Sequence, residues 1–125
     1  MRVAVIGSRG AGGNIYKVLD AFIPANCTEI VSGGAKGADE LGERYAREHG
    51  LLLTRFPPDY AAYGSSAPLR RNLQIIEYAQ YVLALWDGAS RGTAHVIAAC
   101  VERGRAVRVV RIGKRETETD GQSTD

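Results

Sequence analysis

The stretch RVAVIGSRGAGGN, Arg2 to Asn14, decides how the rest of the chain is read. Its first half contains the apolar run Val3-Ala4-Val5-Ile6, and its second half carries glycines at 7, 10, 12 and 13. A short apolar strand that breaks into glycines before a helix is the opening unit of a parallel α/β sheet, and such turns can cradle a phosphate. The glycine spacing is not GxGxxG, and no Lys-Ser/Thr pair closes a Walker A loop. Taken alone, the loop names no ligand.

Four further β-branched runs follow: Glu29–Ser32, Leu51–Phe56, Tyr81–Trp86 and Ala106–Ile112. Like Arg2–Ile6 they are nearly continuous apolar segments, the pattern of parallel strands covered on both faces. Between them lie helical periodicities: Ile15, Val18, Leu19, Phe22; Ala38, Leu41, Tyr45, Ala46; Leu69, Leu73, Ile76, Ala79; and Ala94, Ile97, Ala98, Val101. Gly50 and Gly104 stand where the second and fourth of these helices should stop. Alternating strands and helices with right-handed crossovers predict a single-domain, doubly wound, Rossmann-like sheet in the order 3-2-1-4-5, with helices on both faces. Ligands of such sheets bind beyond the carboxyl ends of the strands, where the winding reverses. That crevice lies between the first and fourth strands.

The chain has 125 residues, 45% hydrophobic and 24% charged, which fits one globular domain. No apolar run is long enough for a membrane span, and Met1-Arg2 leads directly into a strand rather than a signal sequence. A cytoplasmic location is therefore expected. Cys27 and Cys100 make neither a disulfide framework nor a metal site and read as buried thiols. The domain is expected over residues 1–112, with 113–125 a polar, disordered tail. That tail carries two basic and four acidic residues, so the net +2 of the chain becomes about +4 over the domain. Such mild basicity suits small anionic ligands better than a nucleic-acid surface.

Three glycine-rich loops should converge on the crevice: GSRGAGGN at Gly7–Asn14, SGGAKGAD at Ser32–Asp39, and WDGASRGT at Trp86–Thr93. Glycines let a ligand approach the backbone, and a helix start offers free N–H groups to an anion. The candidate phosphate- and ligand-binding residues are Gly7, Ser8, Arg9, Gly33, Gly34, Lys36, Gly37, Asp39, Tyr63, Arg71, Asn72, Asp87, Ser90, Gly92 and Thr93. Ser8 and Arg9 should project from the first loop. Arg9 and Lys36 can pair with phosphate or simply sit on the surface. Asp39 can accept a ribose hydroxyl or act as a helix-start carboxylate. Ser90 and Thr93 can cap the last helix, touch phosphate, or do both. His95 reads as packed or solvated in the commoner case and catalytic in the rarer one. Between Phe56 and the third long helix runs PPDYAAYGSSAP, a dozen residues expected to be structureless; its Asp59, Tyr60 and Tyr63 can cover a ligand, with a ring stacked on a base.

The landmarks GSR at Gly7–Arg9, SGGAKGAD, PDYAAYG at Pro58–Gly64, RN at Arg71-Asn72 and DGASRGT at Asp87–Thr93 resemble the SLOG superfamily. That superfamily joins the fold of DNA processing protein A to the Lonely Guy enzymes, and within it the chain looks most like the YspA-type family. The resemblance implies a Rossmann-like domain that binds a nucleotide or nucleotide-derived ligand, possible roles including that of a sensor. Lonely Guy enzymes cleave the N-glycosidic bond of nucleoside monophosphates and carry PGGxGTxxE with an upstream arginine. Here Gly92-Thr93 match and Arg71 takes the arginine's place, but the glutamate position is Val96, which cannot stabilise an oxocarbenium-like centre or activate water. Arg71, His95 and Asp39 are the weak catalytic candidates, with Glu77 as another carboxylate that could stand in.

Three readings follow. The first is a nucleotide-binding module, the second an N-glycosidase or phosphoribohydrolase acting on a nucleotide, and the third, ranked last, a nucleic-acid binder. No metal or further cofactor is expected beyond the nucleotide-type ligand, and no membrane partner. A homo-oligomer, dimer or tetramer, is expected from the habit of single-domain relatives of pairing through helices.

Overall fold

A computed structural model describes residues Met1 to Gly113; the tail expected over 113–125 therefore lies, from residue 114 on, outside the described residues. Five strands, β1 (Arg2–Gly7), β2 (Glu29–Ser32), β3 (Leu52–Arg55), β4 (Tyr81–Trp86) and β5 (Ala106–Arg111), form one sheet. All neighbours are parallel and the order is β3-β2-β1-β4-β5, as the alternation of runs predicts. The helices are α1 (Tyr16–Phe22), α2 (Ala38–His49), α3 (Tyr60–Tyr63), α4 (Ala67–Tyr78) and α5 (Arg91–Arg103).

The period-two alternation of the central strands splits the core in two. Val3, Val5, Leu83 and Leu85 pack with Leu19 of α1 and with Leu41, Tyr45 and Ala46 of α2. Ala4, Ile6, Val82 and Ala84 face the other way, against Ile75 and Ile76 of α4 and Val96, Ala99 and Cys100 of α5. Burying a large aliphatic side chain such as Leu83 or Ile76, each at most 1% exposed, is worth roughly 1.5–3 kcal/mol. Because α1 and α2 cover one face and α4 and α5 the other, the winding reverses between β1 and β4, and a crevice opens at their carboxyl ends.

The edge strands depart from the uniform coverage expected of the apolar runs. Leu52 of β3 is 68% exposed and Val109 of β5 is 39% exposed. An edge strand has a neighbour on one side only, and the helices lie chiefly over the centre of the sheet. β3 is also shorter than its apolar run. It ends at Arg55, whose guanidinium meets the carboxylate of Glu43 on α2 at 2.7 Å.

Helices α2 and α5 end at Gly50 and Gly104, both left-handed, as the sequence indicates. The segment between Phe56 and Leu69 is not structureless. Asp59 Oδ1 accepts the Ala62 N–H at 3.1 Å and starts α3, a single 3-10 turn follows at Gly64–Ser66, and α4 begins at Ala67 with Pro68 in its first turn. Local capping, invisible to the hydrophobic pattern, orders this crossover.

Candidate functional site

The loop after β1 is tied across the switch point rather than left open. Gly7 has φ +155°, and a Cβ there would run into the carbonyl of Leu85 on β4, so only glycine lets β1 pass this close. Ser8 follows, with its N–H on Leu85 O at 2.9 Å. Its side chain does not project toward solvent as expected: it is 2% exposed, and its Oγ accepts the Asp87 N–H at 3.0 Å. Ser8 Oγ also lies 3.2 Å from Ser90 Oγ, and Ser90 Oγ donates to Thr93 Oγ1 at 2.9 Å. The three hydroxyls lie in one chain across the switch point, and among the described residues the Thr93 hydroxyl donates to no other group. Arg9, by contrast, is exposed and stands on the rim.

The loop after β2 is folded around Asp39. Its Oδ2 accepts the N–H of Gly33 at 3.0 Å and of Ala35 at 3.2 Å. Gly37, at φ +82°, presses against the backbone oxygens of Ser8 and Arg9, where a Cβ could not fit. Gly37 N–H is held by Glu40 Oε1 at 3.2 Å, and Ala38 N–H reaches Ser8 O at 3.3 Å, so α2 starts against the first loop. Asp39 is 6% exposed. Burial pushes its carboxyl up to about 6, against the opposing pull of the Ala35 N–H, the Arg71 charge and the Gly33 N–H.

Arg71, in the second turn of α4, closes over the second loop. Its Nη1 donates to Gly33 O at 2.5 Å and more weakly to Phe56 O at 3.4 Å, and its Nε donates to Asn72 Oδ1 at 2.8 Å. The loop after β4 is shaped by Asp87, whose Oδ1 accepts from Ala89 and Ser90 N–H, each at 2.8 Å. Ser90 is the N-cap of α5 by position, but its hydroxyl points along the chain to Thr93 and caps nothing. The first-turn N–H groups of α5 therefore have no side-chain acceptor, and the positive end of the helix is left open.

These loops enclose a cavity of about 280 Å³ lined by Ile6, Gly7, Arg9, Ala35, Asp39, Pro68, Arg71, Asn72, Ser90, Gly92, Thr93 and Val96. Of the residues singled out in the sequence, Gly7, Arg9, Asp39, Arg71, Asn72, Ser90, Gly92 and Thr93 come together here. Ser8, Gly33 and Asp87 stand behind them as loop-holding groups, bonded to one another or to lining residues, and Gly37 packs against the backbone of Ser8 and Arg9. Gly34 and Lys36 are exposed and outside the lining. Tyr63 also lies outside it, 44% exposed, with Arg70 over its ring at 5.1 Å; Tyr60 is 60% exposed. Glu77 and His95 are exposed and do not reach the cavity.

Sequence reasoning did not single out Ile6, Ala35 and Pro68 as lining, and it treated Val96 only as a missing glutamate. Val96 is 2% exposed, shared between the core under α5 and the cavity wall. The period read through Ala94, Ile97, Ala98 and Val101 is out of phase with the packed face: Val101 is 70% exposed and Ala98 is exposed, whereas Thr93, Val96, Ala99 and Cys100 turn inward. Asp39 is the one carboxylate in the lining, facing two arginines and an open helix start. Among the described residues no cluster of three or more His, Cys, Asp or Glu could hold a metal ion, and no helix is long and apolar enough to cross a membrane.

Comparison with known proteins agrees with this architecture. A solved structure of DNA processing protein A (DprA) from Streptococcus pneumoniae superposes with a TM-score of 0.70 at 22% sequence identity, over 96% of this chain and 53% of that one. The chain thus spans about half the length of that protein, and the likeness is one of fold. No curated protein matches the chain in sequence. The family model for YspA, cpYpsA-related SLOG proteins matches residues 1–63, from β1 through α3, a span that includes the first two glycine-rich loops. With its sheet order, its switch-point loops and this match over half its length, the chain belongs to the YspA, cpYpsA-related SLOG family.

Proposed function

We propose that the chain binds a nucleotide or nucleotide-derived phosphate ligand in the cavity at the β1/β4 switch point. The observation that carries this reading is the wall formed by the start of α5, where Gly92 and Thr93 line the cavity at an uncapped helix terminus and the Thr93 hydroxyl, beyond its contact with Ser90, donates to no group among the described residues. Free N–H groups, a donor hydroxyl and the helix dipole all favour an anionic oxygen. Arg9 on the rim supplies a full positive charge with a planar fork suited to phosphate. The apolar surfaces of Ile6, Pro68 and Val96 offer the remaining part of the ligand a dry wall. Exposed Tyr60 and Tyr63 stand on the neighbouring crossover, where a ring can cover whatever part of the ligand reaches out of the cavity. A sensing role fits a site that binds without an evident catalytic pair.

Titration calorimetry with mononucleotides, dinucleotides, cyclic nucleotides and ADP-ribose tests this reading. Saturable binding of at least one of them is expected, weakened by Arg9→Ala. No binding across the panel rejects it.

A second reading, hydrolysis of the N-glycosidic bond of a nucleotide, has one observation in its favour. Asp39 lines the cavity with its carboxyl raised to about 6, where it can exchange a proton near neutral pH. It lacks the partner carboxylate that such chemistry ordinarily employs, because that position is Val96. Chromatography that detects no free base after incubation with the same nucleotides disposes of it.

A further inference from the structure

Asp39 is buried, yet only half of its carboxylate is used. Both backbone donors, Gly33 N–H and Ala35 N–H, reach the same oxygen, Oδ2, and Oδ1 has no partner among the described residues. At 6% exposure such an oxygen carries an uncompensated desolvation cost, and burial indeed dominates the behaviour of this carboxyl. The neighbouring cation does not fill the gap. Arg71 Nη1 is committed to Gly33 O and Phe56 O and its Nε to Asn72 Oδ1, and among the described residues no nitrogen of Arg71, Nη2 included, makes a hydrogen bond or ion pair with Asp39. Asp39 lines the cavity, so the donor it lacks can come from the molecule that occupies it.

We infer that Asp39 Oδ1 accepts a hydrogen bond from a sugar hydroxyl of the bound nucleotide, which makes Asp39 a specificity-determining residue that selects ribo- over deoxyribonucleotides. This rests on the nucleotide-binding reading above and adds to it the polarity of the ligand in the site. The phosphate belongs at the start of α5, away from the repulsion of the Asp39 carboxylate. The base belongs along Ile6, Pro68 and Val96, which offer no acceptor of their own side chains. What remains beside Asp39 is the sugar. One free oxygen matches one hydroxyl, and a site built around a buried acceptor rejects the analogue that lacks the donor, because the acceptor is then left unpaired.

The test is calorimetry of the four ribonucleoside 5′-monophosphates against their 2′-deoxy and 3′-deoxy counterparts, with the wild-type chain and with Asp39→Asn. The amide keeps an oxygen for Gly33 and Ala35 and replaces the free oxygen by an NH₂ group, a donor rather than an acceptor. The expected result is that the best ribonucleotide outbinds one of its deoxy counterparts by about 100-fold or more. Asp39→Asn should cut that ratio by about tenfold or more while still binding the deoxy compound. If both deoxy compounds bind within about threefold of the ribonucleotide, Asp39 does not read a hydroxyl, although nucleotide binding stands. If no monophosphate binds but ADP-ribose or a dinucleotide does, this inference falls and the broader reading survives; if nothing binds, both fall. Should Asp39→Asn fail to fold, the wild-type ratio alone decides.

Discussion

Ser8 and Ser90 meet hydroxyl to hydroxyl at 3.2 Å, joining the loop after β1 to the start of α5 across the point where the winding of the sheet reverses. The contact continues to Thr93 at 2.9 Å and is anchored by the Asp87 N–H on Ser8 Oγ at 3.0 Å. Replacing Ser8 by alanine removes the acceptor of a backbone N–H from a position only 2% exposed. The cost of such an orphaned donor is about 1–3 kcal/mol. Ser8→Ala should therefore lower the urea midpoint without changing the slope of the transition. It should also weaken binding of a phosphate ligand, since Ser90 and Thr93 lose their orientation.

Two glycines of the site should answer oppositely to alanine. Gly37 has φ +82° and faces the backbone oxygens of Ser8 and Arg9, so Gly37→Ala is expected to destabilise by roughly 2 kcal/mol or more. A Cβ at Gly92 meets nothing within 4 Å, and Gly92 lies in the first turn of α5. Gly92→Ala should keep full stability or gain up to about 1 kcal/mol from helix propensity. Thermal unfolding of the two variants side by side checks the contrast.

Asp39 gives the domain an unusual pH dependence. Its carboxyl rises from the ordinary 3.8 to about 6 on folding, mainly through burial. A group whose folded value is raised contributes stability that is complete below the unfolded value and is lost as pH climbs through the folded one. The loss should run from about pH 4 to pH 6 and amount to about 3 kcal/mol at most. Glu43 shows the opposite sign: burial pushes it up, but hydrogen bonds from Arg55 and Ser32 hold it below its usual range, so its contribution fades toward acid. Asp39→Asn should flatten the decline between pH 4 and 6 and leave the acid limb intact, as read from urea midpoints across that range.

Arg9 is exposed on the rim and has no hydrogen bond or ion pair from its side chain among the described residues, whereas Arg71 holds two backbone carbonyls. Arg9→Ala should stay within about 0.5 kcal/mol of wild-type stability. The same change should weaken phosphate-ligand binding and reduce its salt dependence, because an exposed charge acts through a screened field. Arg71→Ala should lose both binding and stability. Denaturation and calorimetry at two ionic strengths separate the two arginines.

The strand order and the meeting of the three loops were legible because they follow from periodicity and crossover handedness, which the apolar runs encode directly. Gly50 and Gly104 ended their helices as read. Side-chain roles within the loops were less legible. Ser8 turned inward and Asp39 took up its own loop's N–H groups, since a short polar side chain satisfies the nearest backbone donor first, and that geometry is not written in spacing. The ordering of Tyr60–Ser66 escaped for a related reason: one Asp59 cap, not a hydrophobic stripe, starts that turn. The edge exposure of Leu52 and Val109 was hidden because a parallel edge strand has nearly the composition of a central one.

On the proposed function, the cavity between Gly7 and Gly92 takes a phosphate-bearing nucleotide ligand on the open start of α5. The most direct measurement is a calorimetric titration of the full chain with the nucleotide panel, repeated in the presence of excess inorganic phosphate and with Thr93→Val. Saturable one-to-one binding of at least one nucleotide is expected, weakened by phosphate and reduced about tenfold or more by the loss of the Thr93 hydroxyl. Absence of heat with every nucleotide, or binding indifferent to both phosphate and Thr93→Val, would contradict it.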